Sequence, residues 1–164
     1  MPEGSAVTPL RLELDLREPH RHLVRARLLV TPSQPALSLR LPAWTPGSYL
    51  IRDYVRTLEG LEIRQGGRFL RARRADVATW TLPLPCLEPL EIRWSVLATE
   101  LSVRTCHLNT DHGFLALAGV VLDVEGQRWQ PHHLTLQLPP GWRPFVPLPQ
   151  QEDGSWWEIG RAHV

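Results

Sequence analysis

The sequence TPLRLELDLR, residues 8–17, alternates leucine with charged residues from position 10 onward. Leu10, Leu12, Leu14 and Leu16 fall on one side of an extended chain, and the arginine and acidic residues fall on the other. A period of two is typical of a β-strand with one face buried and the other in water. The stretch therefore predicts a half-buried strand at the start of the chain.

The same alternation recurs along most of the sequence. Further segments in which apolar residues alternate with polar ones are 24–30, 37–41, 61–63, 78–82, 90–98 and 134–138. Glycines 66 and 67 predict a tight hairpin turn. Leu115–Val124 is nearly continuously apolar, which predicts a strand covered on both faces, and 155–159 predicts a last strand.

These segments amount to nine or ten short strands with turn signals between them. No amphipathic segment of three helical turns is apparent, and 16 prolines would obstruct one. Successive strands without crossover helices favour antiparallel pairing. We therefore expect an all-β fold, an antiparallel β-sandwich that forms a single domain over residues 1–164.

Composition narrows the function classes. The chain has 43% hydrophobic and 21% charged residues, as in soluble globular proteins. No run approaches the roughly 20 apolar residues that a membrane helix needs, and no secretory signal is visible, so we expect a cytoplasmic protein without a membrane partner. A net charge of +1 argues against non-specific nucleic-acid binding. The one basic run, Arg68–Arg74, is expected to be a solvated strand face.

The residues that usually carry catalysis or bind metals form no recognisable constellation here. Cys86 and Cys106 are too few for a disulfide scaffold or a thiolate zinc site, and we expect buried free thiols. His132 and His133 are adjacent on a predicted strand, so they point to opposite faces; we expect surface histidines and no metal site. Ser48 lacks the second glycine of a nucleophile elbow. We therefore expect no catalytic residue and no cofactor in this chain.

The seven tryptophans allow two interpretations. Trp80 and Trp94 lie on the apolar side of predicted strands and are expected in the core. Others, Trp142 among them, lie beside proline or glycine, where they would line a cleft or cap the sandwich. A Trp-rich edge would suit a freestanding module that binds a carbohydrate or a peptide, which is the alternative function that we carry forward.

A cluster of polar residues, Asn109-Thr-Asp-His-Gly113, precedes the apolar run Leu115–Val124. One interpretation is a turn whose Asn and Asp side chains bond their own backbone, with Gly113 giving the backbone freedom for a sharp bend. The other is a loop at the sandwich edge that presents Asn109, Asp111, His112 and Gly113 to a ligand. The sequence leaves both open.

Three blocks of sequence together resemble a known family. LPAWTPGSYLIRDY, residues 41–54, resembles a segment near the start of the glycyl aminopeptidase family of zinc metallopeptidases. SVRT at 102–105 with Gly113 and Phe114, and PPGW at 139–142, are similar to later family blocks in the same order. The family-signature residues expected to form a structural corner and an interdomain contact are Trp44, Pro46, Gly47, Ser48, Tyr49, Arg52 and Asp53.

The resemblance implies a non-catalytic N-terminal module. In the family, a β-sandwich of this kind precedes a thermolysin-like catalytic domain, which holds the zinc, and often a PDZ domain. The chain ends before any zinc motif, so we expect a fragment or a truncated gene product that is inactive alone. The partners implied are its own catalytic domain and the N-terminus of a peptide substrate, for which the resemblance suggests the loop at 109–113 as a binding element. Substrate preference and oligomeric state are left open.

Overall fold

A computed structural model describes residues 8–42, 54–99 and 106–159. In chain order its strands are β1 (Leu10–Asp15), β2 (Leu23–Val30), β3 (Ala36–Arg40), β4 (Leu58–Gln65), β5 (Arg68–Leu70), β6 (Arg73–Asp76), β7 (Thr79–Pro83), β8 (Leu90–Leu97), β9 (His107–Leu108), β10 (Gly113–Phe114), β11 (Asp123–Val124), β12 (Pro131–Gln137) and β13 (Trp156–Ile159). The helical segments are three 3₁₀ turns, Pro19–Arg21, Tyr54–Thr57 and Leu117–Gly119. The all-β prediction is confirmed; the strands outnumber the expected nine or ten because several contain only two or three residues.

The strands form two main sheets and one small hairpin. The larger sheet has seven strands in the order β13-β12-β1-β2-β8-β4-β5, and the smaller has four in the order β11-β3-β7-β6. β9 and β10 pair by themselves. The pairs are antiparallel, as expected, except that β1 and β12 are parallel. These two strands are far apart in sequence, so no tight turn dictates their relative direction.

The core fills the space between the two main sheets, and the alternation in the sequence decides which side chains enter it. The leucines of β1 are buried while the charged residues between them are not. The same pattern holds in β2 and β8, whose inward side chains are Val24, Ala26, Leu28, Val30, Leu90, Ile92, Trp94 and Val96. The smaller sheet contributes Leu37, Leu39 and Leu82. The predicted faces of these strands are therefore confirmed.

The prediction of one long strand over Leu115–Val124 is wrong. The segment contains the 3₁₀ turn Leu117–Gly119 and the two-residue strand β11, yet Val120, Val121 and Leu122 are buried. Backbone hydrogen bonds run back to Leu117, whose carbonyl accepts from the amides of Val120 and Val121. The run is apolar because it fills the core as a compact loop, and apolar continuity alone does not distinguish that role from a buried strand.

Trp94 links this loop to the larger sheet. Its indole Nε1 donates to the Val120 carbonyl at 2.7 Å, in the interior. A buried indole needs such an acceptor, and a buried carbonyl outside a sheet needs such a donor. Trp94 is in the core as predicted, whereas Trp80 is only half-buried, beneath the guanidinium of Arg74.

Two other predictions need correction. Cys86 is exposed and only Cys106 is buried, because Cys86 follows β7 in a proline-rich surface turn. His132 is not a surface residue: it points inward from β12, and burial lowers its pKa. His133, its neighbour, faces the other side, where Nε2 lies 2.5 Å from the hydroxyl of Ser155. The two imidazoles thus do lie on opposite faces.

Candidate functional site

The hairpin of β9 and β10 extends one end of the sandwich. Its first strand lies antiparallel beside the residues that follow β8: the Leu108 amide donates to the Ala98 carbonyl, and the Ala98 amide in turn donates to the His22 carbonyl. The Nδ1 atom of His22 lies 2.5 Å from the Leu108 carbonyl oxygen. The hairpin is therefore anchored to the start of β2 and the end of β8.

The turn at the hairpin tip is organised by Asn109. Its side-chain oxygen accepts hydrogen bonds from the amides of Asp111, at 2.8 Å, and His112, at 2.9 Å. The Asn109 amide closes the turn by donating to the His112 carbonyl. An asparagine side chain that mimics a backbone acceptor is the usual basis of an Asx turn. Asn109 is thus committed to holding the loop rather than to contacting a ligand.

Asp111, unlike Asn109, has a side chain that the turn does not use. Its side chain is exposed, and among the described residues its carboxylate has no ion pair or hydrogen bond with a protein group. The turn that Asn109 stabilises fixes its backbone. An exposed carboxylate on a fixed backbone can accept charge-assisted hydrogen bonds from a cation.

His112 contributes a ring rather than an ion pair. Its imidazole packs against that of His107, with centroids 5.1 Å apart and an angle of 30° between the planes. The Nδ1 atom of His107 is buried and has no hydrogen-bond partner within the described part of the chain. The two rings therefore pack together on the hairpin that carries Asp111.

Gly113 is required by packing and not by a bend. It lies in β10 and is absent from the glycines with positive φ, so the predicted need for special backbone freedom is wrong. A Cβ atom at this position would lie 3.1 Å from Cδ1 of Leu108, 3.3 Å from the ring of Trp142 and 3.4 Å from Cδ2 of Leu16. The hairpin therefore packs closely on the end of β1 and on the segment that follows β12.

Exposed apolar side chains occur in the hairpin and in two segments that adjoin it in sequence or by contact. Leu97 ends β8, and Phe114 follows Gly113; both are more than one-third exposed. Phe145 is 98% exposed and lies three residues beyond Trp142, whose ring contacts the hairpin. Apolar groups gathered at one place are typical of a surface that another protein surface covers. The sequence analysis named Phe114 only as part of a family block and missed Leu97 and Phe145; the one available signal was Phe145 in a proline-rich stretch.

The other predicted features are distributed elsewhere. The family-signature residues Trp44, Pro46, Gly47, Ser48, Tyr49, Arg52 and Asp53 lie outside the described residues, so their predicted corner stays a prediction. Within the described ranges no group of three or more His, Cys, Asp or Glu side chains is placed to hold a metal ion. No described helix has the length and apolar character needed to cross a membrane.

The described tryptophan side chains do not gather into a platform. Trp94 and Trp156 are buried, Trp80 and Trp142 are half-buried, and Trp129 is exposed in the loop after β11. A stacking surface needs aromatic faces open to the ligand. Nothing in these positions supports the alternative of a carbohydrate-binding or peptide-binding edge.

Comparison with known families identifies the domain. Residues 11–161 match the model of the peptidase M61 N-terminal domain. The chain belongs to this family. The family predicted from its sequence is thereby confirmed.

The solved structures that resemble this M61 N-terminal domain belong to longer chains. It is similar to an aminopeptidase N family protein from Idiomarina loihiensis, with a TM-score of 0.86 and 28% identity, over 92% of this chain and 27% of that one. The M1 zinc metallopeptidase from Deinococcus radiodurans matches with a TM-score of 0.45 and 15% identity, over 94% of this chain and 38% of that one, which is too distant for an argument. No curated protein sequence matches. The chain spans about a quarter of the Idiomarina protein (27%).

Proposed function

We propose that this chain is the non-catalytic N-terminal β-sandwich module of a longer, zinc-dependent glycyl aminopeptidase. The module packs against the catalytic domain and forms one wall of the substrate cleft. In this proposal, zinc and the residues that activate water belong to the catalytic domain. A PDZ domain, where one is present, also lies outside these 164 residues. The family match over residues 11–161 is the observation that carries it.

The end of the sandwich around the β9–β10 hairpin supports a docking role. Leu97, Phe114 and Phe145 expose apolar surface there. The hairpin itself is held rigidly by Asn109 and by the close packing at Gly113. A rigid projection beside an apolar surface is suited to reach past a domain boundary into a cleft.

Within that wall, Asp111 is the residue assigned to the substrate. A carboxylate without a protein partner attracts the α-ammonium group of a peptide, and the strength of this interaction grows when the neighbouring domain excludes water. Asn109, His112 and Gly113 act by positioning it. The single domain over residues 1–164 and the cytoplasmic location remain predictions.

The test uses the full-length enzyme acting on glycyl and alanyl amides. Asp111→Ala is expected to raise KM by more than about threefold, with a smaller effect on kcat, because the lost contact holds the substrate rather than the reacting atoms. Asp111→Asn should raise KM to a similar degree, since it keeps the size but not the charge.

The matched control is Glu152→Ala, which removes an exposed carboxylate from the turn before β13. Its KM should equal that of the unaltered enzyme. If Asp111→Ala also leaves KM unchanged, the assignment of Asp111 to the substrate is wrong. If a full-length gene product with intact zinc shows no aminopeptidase activity, the proposed function itself is wrong.

A further inference from the structure

Two open strand edges lie side by side on one flank of the sandwich. β5 is the outermost strand of the seven-stranded sheet, and β6 is the outermost strand of the four-stranded sheet. Only residues 71 and 72 connect them, so their adjoining ends lie within about 10 Å. Among the described strands, neither has a partner on its outer side. The chain thus crosses from one sheet to the other at a pair of free edges.

The backbone along this flank is accessible. All four residues of β6 are exposed, as are the first two of β5, Arg68 and Phe69. An edge strand presents unpaired N–H and C=O groups along its outer side. An extended peptide can use such groups to add a further strand. The register shift between Arg74 and Asp76 limits the regular part of the β6 edge to its first residues.

The flank is also basic. Residues 64–76 contain five arginines and one acidic residue, in a chain of net charge +1. The acidic residue, Asp76, is already engaged: its carboxylate accepts from the Ala78 amide at 2.9 Å, and that hydrogen bond is the main cause of its lowered pKa. The five arginines outnumber this one carboxylate, so the segment keeps an excess of positive charge.

Two of the five arginines have partners in the fold. Arg64 lies over the ring of Phe69, 4.3 Å from its centroid. Arg74 donates to the Val77 carbonyl at 2.6 Å and lies over Trp80. The remaining guanidinium groups, those of Arg68, Arg71 and Arg73, make no ion pair or hydrogen bond with the described residues.

We propose that this flank binds an acidic, extended segment of a partner protein. The segment adds to the outer edge of β6 by main-chain hydrogen bonds and places its carboxylates against Arg68, Arg71 and Arg73. Arg73 begins β6 and Arg71 lies two residues before it in the connection, so acidic residues at alternate positions of the partner match their spacing along the chain. Arginine binds carboxylates through paired N–H groups, which adds direction to the charge attraction.

The open backbone edge favours a peptide over a nucleic acid. A phosphate backbone would use the arginines but would leave the N–H and C=O groups of the edge unpaired. A peptide uses both features at once. This flank is formed by β5 and β6 and does not include the hairpin end assigned to the catalytic domain. The inference is therefore independent of the proposed function.

The test measures binding of an end-capped, fluorescein-labelled octapeptide of alternating Glu and Val to the 164-residue chain by fluorescence anisotropy at low salt. Arg71→Glu/Arg73→Glu is expected to weaken binding by at least about tenfold. The control Arg11→Glu/Arg143→Glu makes the same change in net charge at two other exposed arginines and should stay within about twofold of the unaltered chain. Equal losses in the two variants would show a general charge effect and overturn the proposal.

Two further ligands, an N-methylated peptide and an oligonucleotide, test whether binding uses the strand edge or only the positive charge. The same peptide N-methylated at alternate residues keeps every carboxylate but loses the donors along one edge, so it should bind about tenfold more weakly. Equal affinity of the methylated peptide would overturn the proposed strand addition. A thymidine octanucleotide that binds as tightly as the unmodified peptide, and is displaced by it, would instead identify a general polyanion surface and also overturn the proposal. Unchanged urea midpoints of both variants establish that they are folded.

Discussion

Trp94 is the residue on which the packing of the apolar loop depends. It is 2% exposed, and its indole supplies the hydrogen bond that the Val120 carbonyl needs in the core. The alternation of β8 predicted its burial, but a sequence period contains no information on which carbonyl meets the indole. The hydrogen bond joins residues 26 positions apart and exists only in the folded chain.

Trp94→Phe is expected to lower the free energy of unfolding of the chain by about 2 kcal/mol, because it leaves a buried carbonyl without a donor and removes part of a large side chain. Urea unfolding followed by circular dichroism measures the change. Trp129→Phe is the control: this tryptophan is 67% exposed, and its loss should cost less than about 0.5 kcal/mol. Equal midpoints for the two variants would contradict the role given to Trp94.

The two cysteines differ in reactivity for a local reason. Cys106 is buried, and burial raises the pKa of its thiol to about 11. Cys86 is exposed. Since the thiolate is the reactive form, a thiol that is both enclosed and protonated should react slowly.

At pH 8, iodoacetamide should therefore modify Cys86 at least about tenfold faster than Cys106, as measured by peptide mass mapping over time. In urea above the unfolding midpoint the two rates should converge, because both the burial and the raised pKa are properties of the fold. Equal rates in the native chain would contradict the enclosed environment of Cys106.

At the scale of elements, the β9–β10 hairpin shows how local and distant causes combine. The turn at its tip follows from Asn109 and its immediate neighbours, and the sequence analysis named that possibility. The position of the hairpin depends on Leu16 and Trp142, which come from opposite ends of the chain. Gly113 was singled out for the wrong reason, because a sequence shows glycine without showing whether the backbone or the neighbouring atoms require it.

Gly113→Ala is expected to destabilise the chain by about 1–3 kcal/mol, because its Cβ would be too close to both Leu108 and Trp142. Urea unfolding again supplies the measurement. A double-mutant cycle with Leu108→Ala, which removes the nearest atom, should show that Gly113→Ala costs at least about 1 kcal/mol less in that background. Additive effects would show that the steric explanation is wrong.

At the scale of the whole molecule, we propose that this chain is one domain of a longer protein. The matched region is 27% of the related Idiomarina protein, and the described residues of this chain contain no cluster placed to hold a metal. The apolar end around Leu97, Phe114 and Phe145 would be covered in the full-length protein and open in the isolated chain.

The 164-residue chain supplied with zinc should show no hydrolysis of glycyl or alanyl amides above the uncatalysed rate, whereas the full-length gene product should be active. Chromogenic amide release, measured for both proteins at equal concentration, is the assay. Activity of the chain alone that survives repurification and is abolished by a chelator would contradict its assignment as a non-catalytic module.

The sequence by itself determined the fold class and the family. Strand faces could be predicted because side chains alternate by residue along an extended backbone, so burial leaves a local pattern in β1, β2 and β8. The family blocks are likewise contiguous runs of residues. These patterns sufficed for the all-β fold class.

Only the tertiary structure decided how the parts meet. The parallel pairing of β1 with β12, the compact loop in place of the strand expected at Leu115–Val124, and the packing that requires glycine at 113 all depend on atoms distant in sequence. The basic run at 68–74 was correctly expected to be solvated, yet its position across two edges that no described strand pairs with follows from the sheet order alone. Contacts between distant segments minimise the free energy of the whole chain, and no local period records them.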